Sequence, residues 1–260
     1  MCLLLIANKT HPDYTLIVAA NRDEFYSRPA QPAAFWEDHP ELLAGKDLES
    51  GGTWLGITES GRFSAVTNYR DFHKPVKINS PTRGKLTTGF LLEGDSPSSY
   101  TKKLQRDSSY YNGFNLIYGI KNDLYYFSNQ LNTCTKLGDG IYGLSNALLD
   151  TPWTKVEKSK KRFAEILTQE KDIVKNIFDL LRNEETAEDK LLPDTGIGRK
   201  KEKALSAVFI KTPEYGTRCS TVLLVNKDDS VIFIEKTFHP LKNSFSEVKY
   251  GLKFQQKISE

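Results

Sequence analysis

The sequence predicts an α+β fold in which helices pack on antiparallel β-structure. Strand-like apolar segments lie near the amino terminus and again after residue 218, whereas segments between them have helical spacing of apolar residues. Four strand-like segments occur within the first seventy residues, and pairing them in sequence order favours an antiparallel sheet. At 260 residues the chain can bury a sizeable core. We therefore expect a single domain over residues 1–260, built as an α+β sandwich.

The first third of the chain supplies the strands that begin this fold. The apolar runs at 1–7 and 14–20 predict two strands, and the second run leads into Asn21-Arg22-Asp23-Glu24. Residues 34–50 are rich in Pro, Glu and Asp, which is typical of a loop. Segments 51–58 and 63–68 predict a hairpin around a turn at 59–62. Four strands paired in sequence order would form one antiparallel sheet.

The remaining elements follow the same rules of periodicity and turn chemistry. After a loop at 70–84, we expect helices at 85–93 and 97–106, a hairpin over 113–128 and a strand over 142–146. Thr151-Pro152 is typical of a helix start, with threonine as N-cap and proline in the first turn. A second helix is predicted at 171–182 and a solvated loop or frayed helix at 183–203, followed by strands at 219–225, 230–235 and 247–252.

Composition excludes several classes of protein. The 36 basic and 33 acidic residues give a net charge of +3, too small to indicate a nucleic-acid partner. No apolar run approaches the roughly 20 residues of a membrane-spanning helix, so we expect no integral membrane segment. The opening run is short and lacks a preceding basic segment, which argues against a signal peptide. Three cysteines without pairing spacing favour a reducing compartment, and we predict a cytoplasmic location.

The opening strand carries the strongest candidate for chemistry. Cys2 follows the initiator methionine directly, so removal of Met1 would leave a thiol and a free α-amine on one residue. The reference pKa of an α-amine is about 8 and that of a thiol about 8.5, so the amine can accept the thiol proton near neutral pH. The alternative is that Cys2 is simply a small buried hydrophobic residue. In a hairpin, the end of strand 14–20 would bring the polar residues 21–24 beside Cys2.

Other motifs do not indicate a cofactor or a metal. Residues 138–143 spell G-x-G-x-x-G, but no apolar strand precedes them and no helix begins on the last glycine. Residues 143–147 resemble a nucleophile elbow without its final glycine. The four histidines and three cysteines lack metal-ligand spacing, so we predict no metal site. Asn68, Asn146 and Arg218 stand beside apolar strands, where turn chemistry or solvation is the ordinary explanation of such residues.

Seven motifs, in matching order over essentially the whole chain, resemble those of the NRDE family, the transport-and-Golgi-organisation type of protein. They are Met-Cys at the start, residues 21–24, 51–56, 66–70, 83–84, 143–146 with 149–153, and 216–218 with 220–222. The resemblance implies kinship with the cysteine N-terminal nucleophile hydrolases, such as bile salt hydrolases, penicillin V acylases and acid ceramidase. It therefore implies a four-layer αββα sandwich of antiparallel sheets.

The same resemblance implies roles for individual residues. Cys2 would be the nucleophile and Asp23 the group that orients its α-amine, with Asn68 and Asn146 near the oxyanion and Arg218 as the late-strand arginine. Substrate-binding positions would include Asn21, Arg22, Trp54 and Arg83. One departure concerns Ala20, which stands where those hydrolases carry an arginine three residues before the aspartate. Arg22 instead adjoins Asp23, and neighbouring strand residues point to opposite faces.

The resemblance leaves two functions open. One is hydrolysis of a non-peptide C–N amide in an amphipathic substrate through Cys2. The other is non-catalytic binding and trafficking of haem or of an acyl lipid such as acyl-coenzyme A in the same cavity, consistent with the family's association with haem mobilisation and lipid homeostasis. No cofactor would be required, although haem could be a bound ligand with Cys2, a histidine or a tyrosine as axial ligand. The expected partner is a small amphipathic ligand, and the sequence does not indicate an oligomeric state.

Overall fold

The computed structural model describes residues 3–169, 171–239 and 244–255, which form two antiparallel sheets flanked by helices. The strands are β1 (Leu3–Asn8), β2 (Tyr14–Phe25), β3 (Ala30–Phe35), β4 (Leu42–Asp47), β5 (Leu55–Thr58), β6 (Arg62–Asn68), β7 (Phe114–Ile120), β8 (Asp123–Ser128), β9 (Thr133–Lys136), β10 (Gly140–Leu144), β11 (Tyr215–Asn226), β12 (Ser230–His239) and β13 (Ser244–Lys253). The helices are α1 (Gly84–Leu92), α2 (Pro97–Asp107), α3 (Thr154–Gln169), α4 (Ile173–Leu181) and α5 (Arg199–Leu205). Short 3₁₀ turns occupy Ser108–Tyr110 and Asp189–Leu191.

The first sheet contains the first and the last of the described strands, in the order β10-β1-β2-β11-β12-β13. Strand β1 is entirely buried and pairs with β2 on one side and β10 on the other. The second sheet has the order β3-β4-β5-β6-β7-β8-β9, so each strand pairs with its neighbour in sequence. The opening strand is therefore an interior strand of its sheet.

Alternating side chains along β1 and β2 divide the apolar residues between two cores. Leu4, Ile6 and Val18 face the second sheet and pack against Trp54 and Ile57 in the space between the sheets. The other face of the first sheet, with Leu3, Leu5 and Ala19, packs on α3 and α4. Because β-strand side chains alternate with a period of two, one buried strand can serve both cores.

The outer face of the second sheet is covered by the other helix pair. Phe90 of α1 and Tyr100 of α2 pack against Phe114 and Tyr118 of β7. Helix α2 begins with a capped turn, since the Ser96 hydroxyl accepts a hydrogen bond from the backbone N–H of Ser99 and Pro97 occupies the first helical position. The order of layers is helices, sheet, sheet, helices, which confirms the predicted αββα sandwich.

Several local predictions were wrong. The early strands do not form one sheet, because β1 and β2 join the first sheet whereas β5 and β6 join the second. Segment 34–50, predicted as a loop, contains the end of β3 and all of β4. Strand β4 forms because Leu42 and Leu43 pair with β5 and are buried, a tertiary effect that local composition does not reveal.

The helix predicted to start at Thr151-Pro152 begins instead at Thr154. The Thr151 hydroxyl donates to the carbonyl of Leu148, and the Thr151 carbonyl accepts from the N–H of Trp153, so this threonine closes a turn. Segment 183–203, predicted as a solvated loop or frayed helix, contains a 3₁₀ turn and most of α5. Strand β9 was not predicted. In the described residues, no helix combines the length and apolarity needed to cross a bilayer.

Candidate functional site

The end of the first sheet that carries the start of β1 is where the predicted site residues converge. Leu3 pairs with Asn21 of β2, and Leu4 pairs with Leu144 of β10. The polar motif at residues 21–24 does not follow β2, as the sequence suggested, but lies within it. Asn146 follows β10 by two residues at the same end of the sheet. Cys2 itself lies outside the described residues.

Asp23 places a carboxylate in a buried position near this end of the sheet. Its side chain is 3% exposed, and Oδ1 accepts a 2.6 Å hydrogen bond from the hydroxyl of Thr217 in β11. Thr217 is held in turn, because its hydroxyl accepts from the backbone N–H of Ile210. The second carboxylate oxygen, Oδ2, is buried and has no hydrogen-bond partner among the residues that the structure describes. A buried carboxylate oxygen with free lone pairs is a strong acceptor for a charged donor.

Arg22 joins the two sheets. Its Nη2 donates to Oδ2 of Asp47, at the end of β4, over 3.0 Å. Its guanidinium also lies 4.2 Å from the centre of the Trp54 ring, in cation–π contact. Arg22 and Asp23 are adjacent in a strand, so their side chains occupy opposite faces of the first sheet.

Asn21 connects the sheet to its helix layer. The amide nitrogen of Asn21 donates to the carbonyls of Leu181 and Val208, each over 2.9 Å, and the amide oxygen accepts from the hydroxyl of Ser220. These bonds engage both ends of a fully buried amide. The side-chain amide of Asn21, predicted to bind substrate, is thus hydrogen-bonded to two backbone carbonyls and to Ser220 of β11.

Asn68 and Asn146 lie together where the two sheets meet. The amide nitrogen of Asn146 donates to the backbone carbonyl of Asn68 over 2.9 Å, and the carbonyl of Asn146 accepts from the backbone N–H of Arg70. This reciprocal pair of bonds joins the segment after β6, in the second sheet, to the segment after β10, in the first. One N–H of the Asn146 amide is thereby used.

A buried polar network supports the segment that carries Asn146. Asn115 of β7 donates to the hydroxyl of Thr67 and to the carbonyl of Ala147, while its amide oxygen accepts from the hydroxyl of Tyr126. The Tyr126 oxygen accepts in turn from the N–H of Leu149. Sequence reasoning missed this network, although an asparagine inside the apolar strand 114–120 is the kind of signal that could have indicated it.

Two other predicted site residues, Arg218 and Arg83, donate hydrogen bonds to backbone carbonyls. Arg218 donates to the carbonyls of Phe25 and Arg28, which ties β11 to the turn after β2, and burial lowers the pKa of its guanidinium. Arg83 immediately precedes α1 and donates to the carbonyl of Gly113. Burial also lowers the pKa of Arg83.

A second buried carboxylate lies in the interior beside Cys219. Glu235 of β12 accepts from the backbone N–H of Ala33 over 2.7 Å and from the hydroxyl of Thr221. Burial raises the pKa of this carboxyl group, and burial also raises the pKa of the Cys219 thiol. A thiol kept protonated in this way is a poor nucleophile, so Cys219 is not a candidate for catalysis. Among the described residues, no group of three or more His, Cys, Asp or Glu side chains is arranged to hold a metal ion.

Solved structures with a similar arrangement include two hydrolases. An N-acylethanolamine-hydrolyzing acid amidase orthologue from Caenorhabditis elegans is similar at a TM-score of 0.47 and 10% identity, covering 86% of this chain and 92% of that one. A mutant of the conjugated bile acid hydrolase from Clostridium perfringens is similar at a TM-score of 0.43 and 12% identity, covering 98% of this chain and 97% of that one.

Sequence relatives are much closer. The human Transport and Golgi organization protein 2 homolog is 39% identical over 262 residues, covering 91% of this chain and 93% of that protein. The bovine homolog is 38% identical with the same coverage, and the Drosophila melanogaster protein is 29% identical. The family model described as Transport and Golgi organisation 2 matches residues 1–240. The chain therefore belongs to the Transport and Golgi organisation 2 family, the NRDE family that its motifs resemble.

Proposed function

We propose that this protein is a cysteine amidohydrolase that cleaves a non-peptide C–N amide in an amphipathic substrate, with Cys2 as nucleophile after removal of Met1. The observation that carries the proposal is the buried Oδ2 of Asp23, which has no hydrogen-bond partner within residues 3–169, 171–239 and 244–255 and lies at the end of the sheet where β1 begins. An α-ammonium group is the kind of donor that such an oxygen binds most strongly.

The strand register supports this assignment. Leu3 is opposite Asn21 in β2, and Leu4 is opposite Leu144 in β10. If the β1–β2 ladder continued by one residue and the β1–β10 ladder by two, position 2 would lie opposite Arg22 on one side and Asn146 on the other. Position 2 would thus have a cation and an amide donor as its strand neighbours, both useful beside a thiolate and a developing oxyanion.

The proposed reaction has two steps. The α-amine accepts the thiol proton, the thiolate of Cys2 forms a C–S bond to the amide carbonyl carbon, and the C–N bond breaks as the leaving amine takes that proton. Water then attacks the thioester, which releases the carboxylic acid and restores the thiol. Asp23 orients the amine. The remaining N–H of Asn146 stabilises the oxyanion, with Asn68 or a backbone N–H as a second donor, and such donors are worth about 3–4 kcal/mol each.

The test is to trap the acyl-enzyme. Intact mass should show that Met1 is absent, and incubation with a p-nitroanilide of a fatty acid should add the acyl mass to the peptide that begins with Cys2. The variant C2A should lose the adduct, whereas C134A, which removes a half-buried cysteine of β9, should keep it. D23N should fold but slow acylation by at least tenfold, because the neutral amide would no longer fix the amine.

Retention of Met1, or an adduct unaffected by C2A, would contradict the proposal. Unchanged binding of haem or of an acyl lipid in C2A, with no acyl-enzyme in the wild-type protein, would instead support the non-catalytic carrier that the family resemblance also implies.

A further inference from the structure

A second polar site lies beside the candidate catalytic end of the sheet. An open cavity of about 420 Å³ is formed by the turn after β2, the turn after β4, the segment that leads into α1 and the residue pair before β7. It is lined by Arg28, Ser50, Ser80, Pro81, Thr82, Arg83, Lys85 and Asn112. Three of these side chains are cationic and none is a carboxylate.

The cavity's positive charge is only partly neutralised by the protein. Arg28 is paired with Asp47 at 2.7 Å and with Glu49 at 2.8 Å. Arg83 and Lys85, in contrast, have no carboxylate oxygen within 4.0 Å among the residues that the structure describes. The charge of Glu24 acts on Arg83 and opposes the lowering of its pKa, but not through a direct ion pair. Two cations without a direct carboxylate partner among the described residues therefore border the same space.

Hydrogen-bond donors remain available at the same place. The guanidinium of Arg83 donates to one acceptor, the carbonyl of Gly113, so several of its five N–H groups stay free. Within the described part of the chain, the side chains of Thr82 and Lys85 make no hydrogen bond, and Lys85 is exposed to solvent. A guanidinium fork, an ammonium and a hydroxyl together suit a tetrahedral oxyanion.

We propose that this cavity binds the phosphate group of a small phosphorylated ligand, with Arg83 as the bidentate contact, Lys85 as the second charge and Thr82 as a hydroxyl donor. A phosphate monoester carries about −1.5 to −2 charges at pH 7, which matches the two cations without a direct ion-pair partner better than a carboxylate does. The volume lies in the range of roughly 300–1,000 Å³ typical of small-molecule sites, so there is room for the group that the phosphate esterifies.

The phosphate site is connected to the candidate catalytic end through one carboxylate. Oδ2 of Asp47 accepts from both Arg28, which lines the cavity, and Arg22, which lies in β2. Asp47 therefore couples the position of a cavity-lining arginine to that of Arg22. The inference goes beyond the proposed hydrolysis and needs only binding, so it stands or falls independently of Cys2.

The experiment is calorimetric titration of the full chain with inorganic phosphate and with glycerol 3-phosphate, compared with R83Q, K85Q and K102Q. We expect the ester to bind, R83Q to weaken its binding at least tenfold and K85Q to weaken it several-fold. The control K102Q removes an equally exposed lysine from α2 and should leave binding unchanged. C2A should bind as the wild-type protein does, which separates failure of this site from failure of the hydrolase.

Three results would overturn the assignment. These are equal binding by wild type and K85Q, equal losses in K85Q and K102Q, and preference for vesicles of phosphatidic acid over the soluble ester. The last would indicate a membrane headgroup instead of a small ligand. If R83Q does not fold, K85Q carries the test alone, because an exposed lysine can be replaced without disturbing the core.

Discussion

Replacing Arg70 with methionine removes one half of a buried ion pair that holds the Asn68–Asn146 junction. Nη2 of Arg70 lies 2.9 Å from Oε2 of Glu202 in α5, and the side chains are 9% and 2% exposed. The same guanidinium lies 4.9 Å from the centre of the Trp153 ring. The other carboxylate oxygen of Glu202 accepts from the N–H and hydroxyl of Thr195, so the pair also anchors the segment before α5.

Burial determines the size of the effect. Removing one partner of a buried pair leaves an uncompensated charge, which typically costs about 3–5 kcal/mol, and methionine retains much of the apolar stem of arginine. A typical protein is stable by only about 5–15 kcal/mol, so R70M should lower the urea midpoint markedly. Adding E202Q removes the stranded charge, and the double variant should be more stable than R70M by about 1–2 kcal/mol.

The assay is urea denaturation followed by tryptophan fluorescence, with all four members of the cycle at one pH. The matched control is K158M, because Lys158 and Glu185 form an even closer pair, at 2.6 Å, with side chains 62% and 60% exposed. Exposed pairs contribute about 0–1 kcal/mol, so K158M should change little. If R70M loses no more stability than K158M, or if E202Q adds to the loss in R70M, the reasoning from burial is refuted.

Three further substitutions test other parts of the structure. Burial raises the pKa of Glu235, so its protonated form stabilises the fold at low pH and this contribution is lost as the pH rises through the folded pKa. In thermal melts, E235Q should therefore be more stable than wild type in mildly alkaline buffer and should lose that advantage in acidic buffer. A stability difference that does not change with pH would contradict the raised pKa. G52A should destabilise the protein by about 1–3 kcal/mol in urea, because a Cβ there would lie 2.6 Å from the carbonyl carbon of Gly84 at the start of α1; an unchanged midpoint would contradict this contact. Y126F removes a hydroxyl that donates to the amide oxygen of Asn115 and accepts from the N–H of Leu149. It should lower the free energy of unfolding by about 1–2 kcal/mol and speed amide hydrogen exchange at Leu149. Neither change would be seen if a water molecule replaced the hydroxyl.

The parts of the fold that the sequence predicted well are those with strong local signals. Helices expected at 85–93 and 97–106 are observed at Gly84–Leu92 and Pro97–Asp107. Each has apolar residues at helical spacing, including Phe90 in the first and Leu104 in the second, and Ser96-Pro97 is typical of a helix start. The hairpin over 113–128 was predicted equally well from its alternating aromatic residues.

Elements stabilised mainly by their neighbours were missed. Strand β9 (Thr133–Lys136) is short and mostly exposed, and β4 contains a glycine, a lysine and an aspartate, so neither has a clean alternating pattern. Both exist because an adjacent strand supplies hydrogen-bond partners. The division of the early strands between two sheets also depends on long-range pairing of β2 with β11, which local sequence does not encode.

Strand geometry determines which layer of the fold each side chain of the polar motif in β2 contacts, which the order of the residues alone does not show. Asn21 and Asp23 share one face of the first sheet, where they bind the helix layer and Thr217, while Arg22 faces the second sheet and binds Asp47. Asp47 is 25 residues away in sequence, so no local pattern could have paired it with Arg22. The motif thus fixes the first sheet to the layers on both sides of it, and yet Oδ2 of Asp23 is left buried without a partner among the described residues. A buried polar atom without a partner typically costs about 1–3 kcal/mol, and this cost is the physical reason to look for chemistry at this end of the sheet.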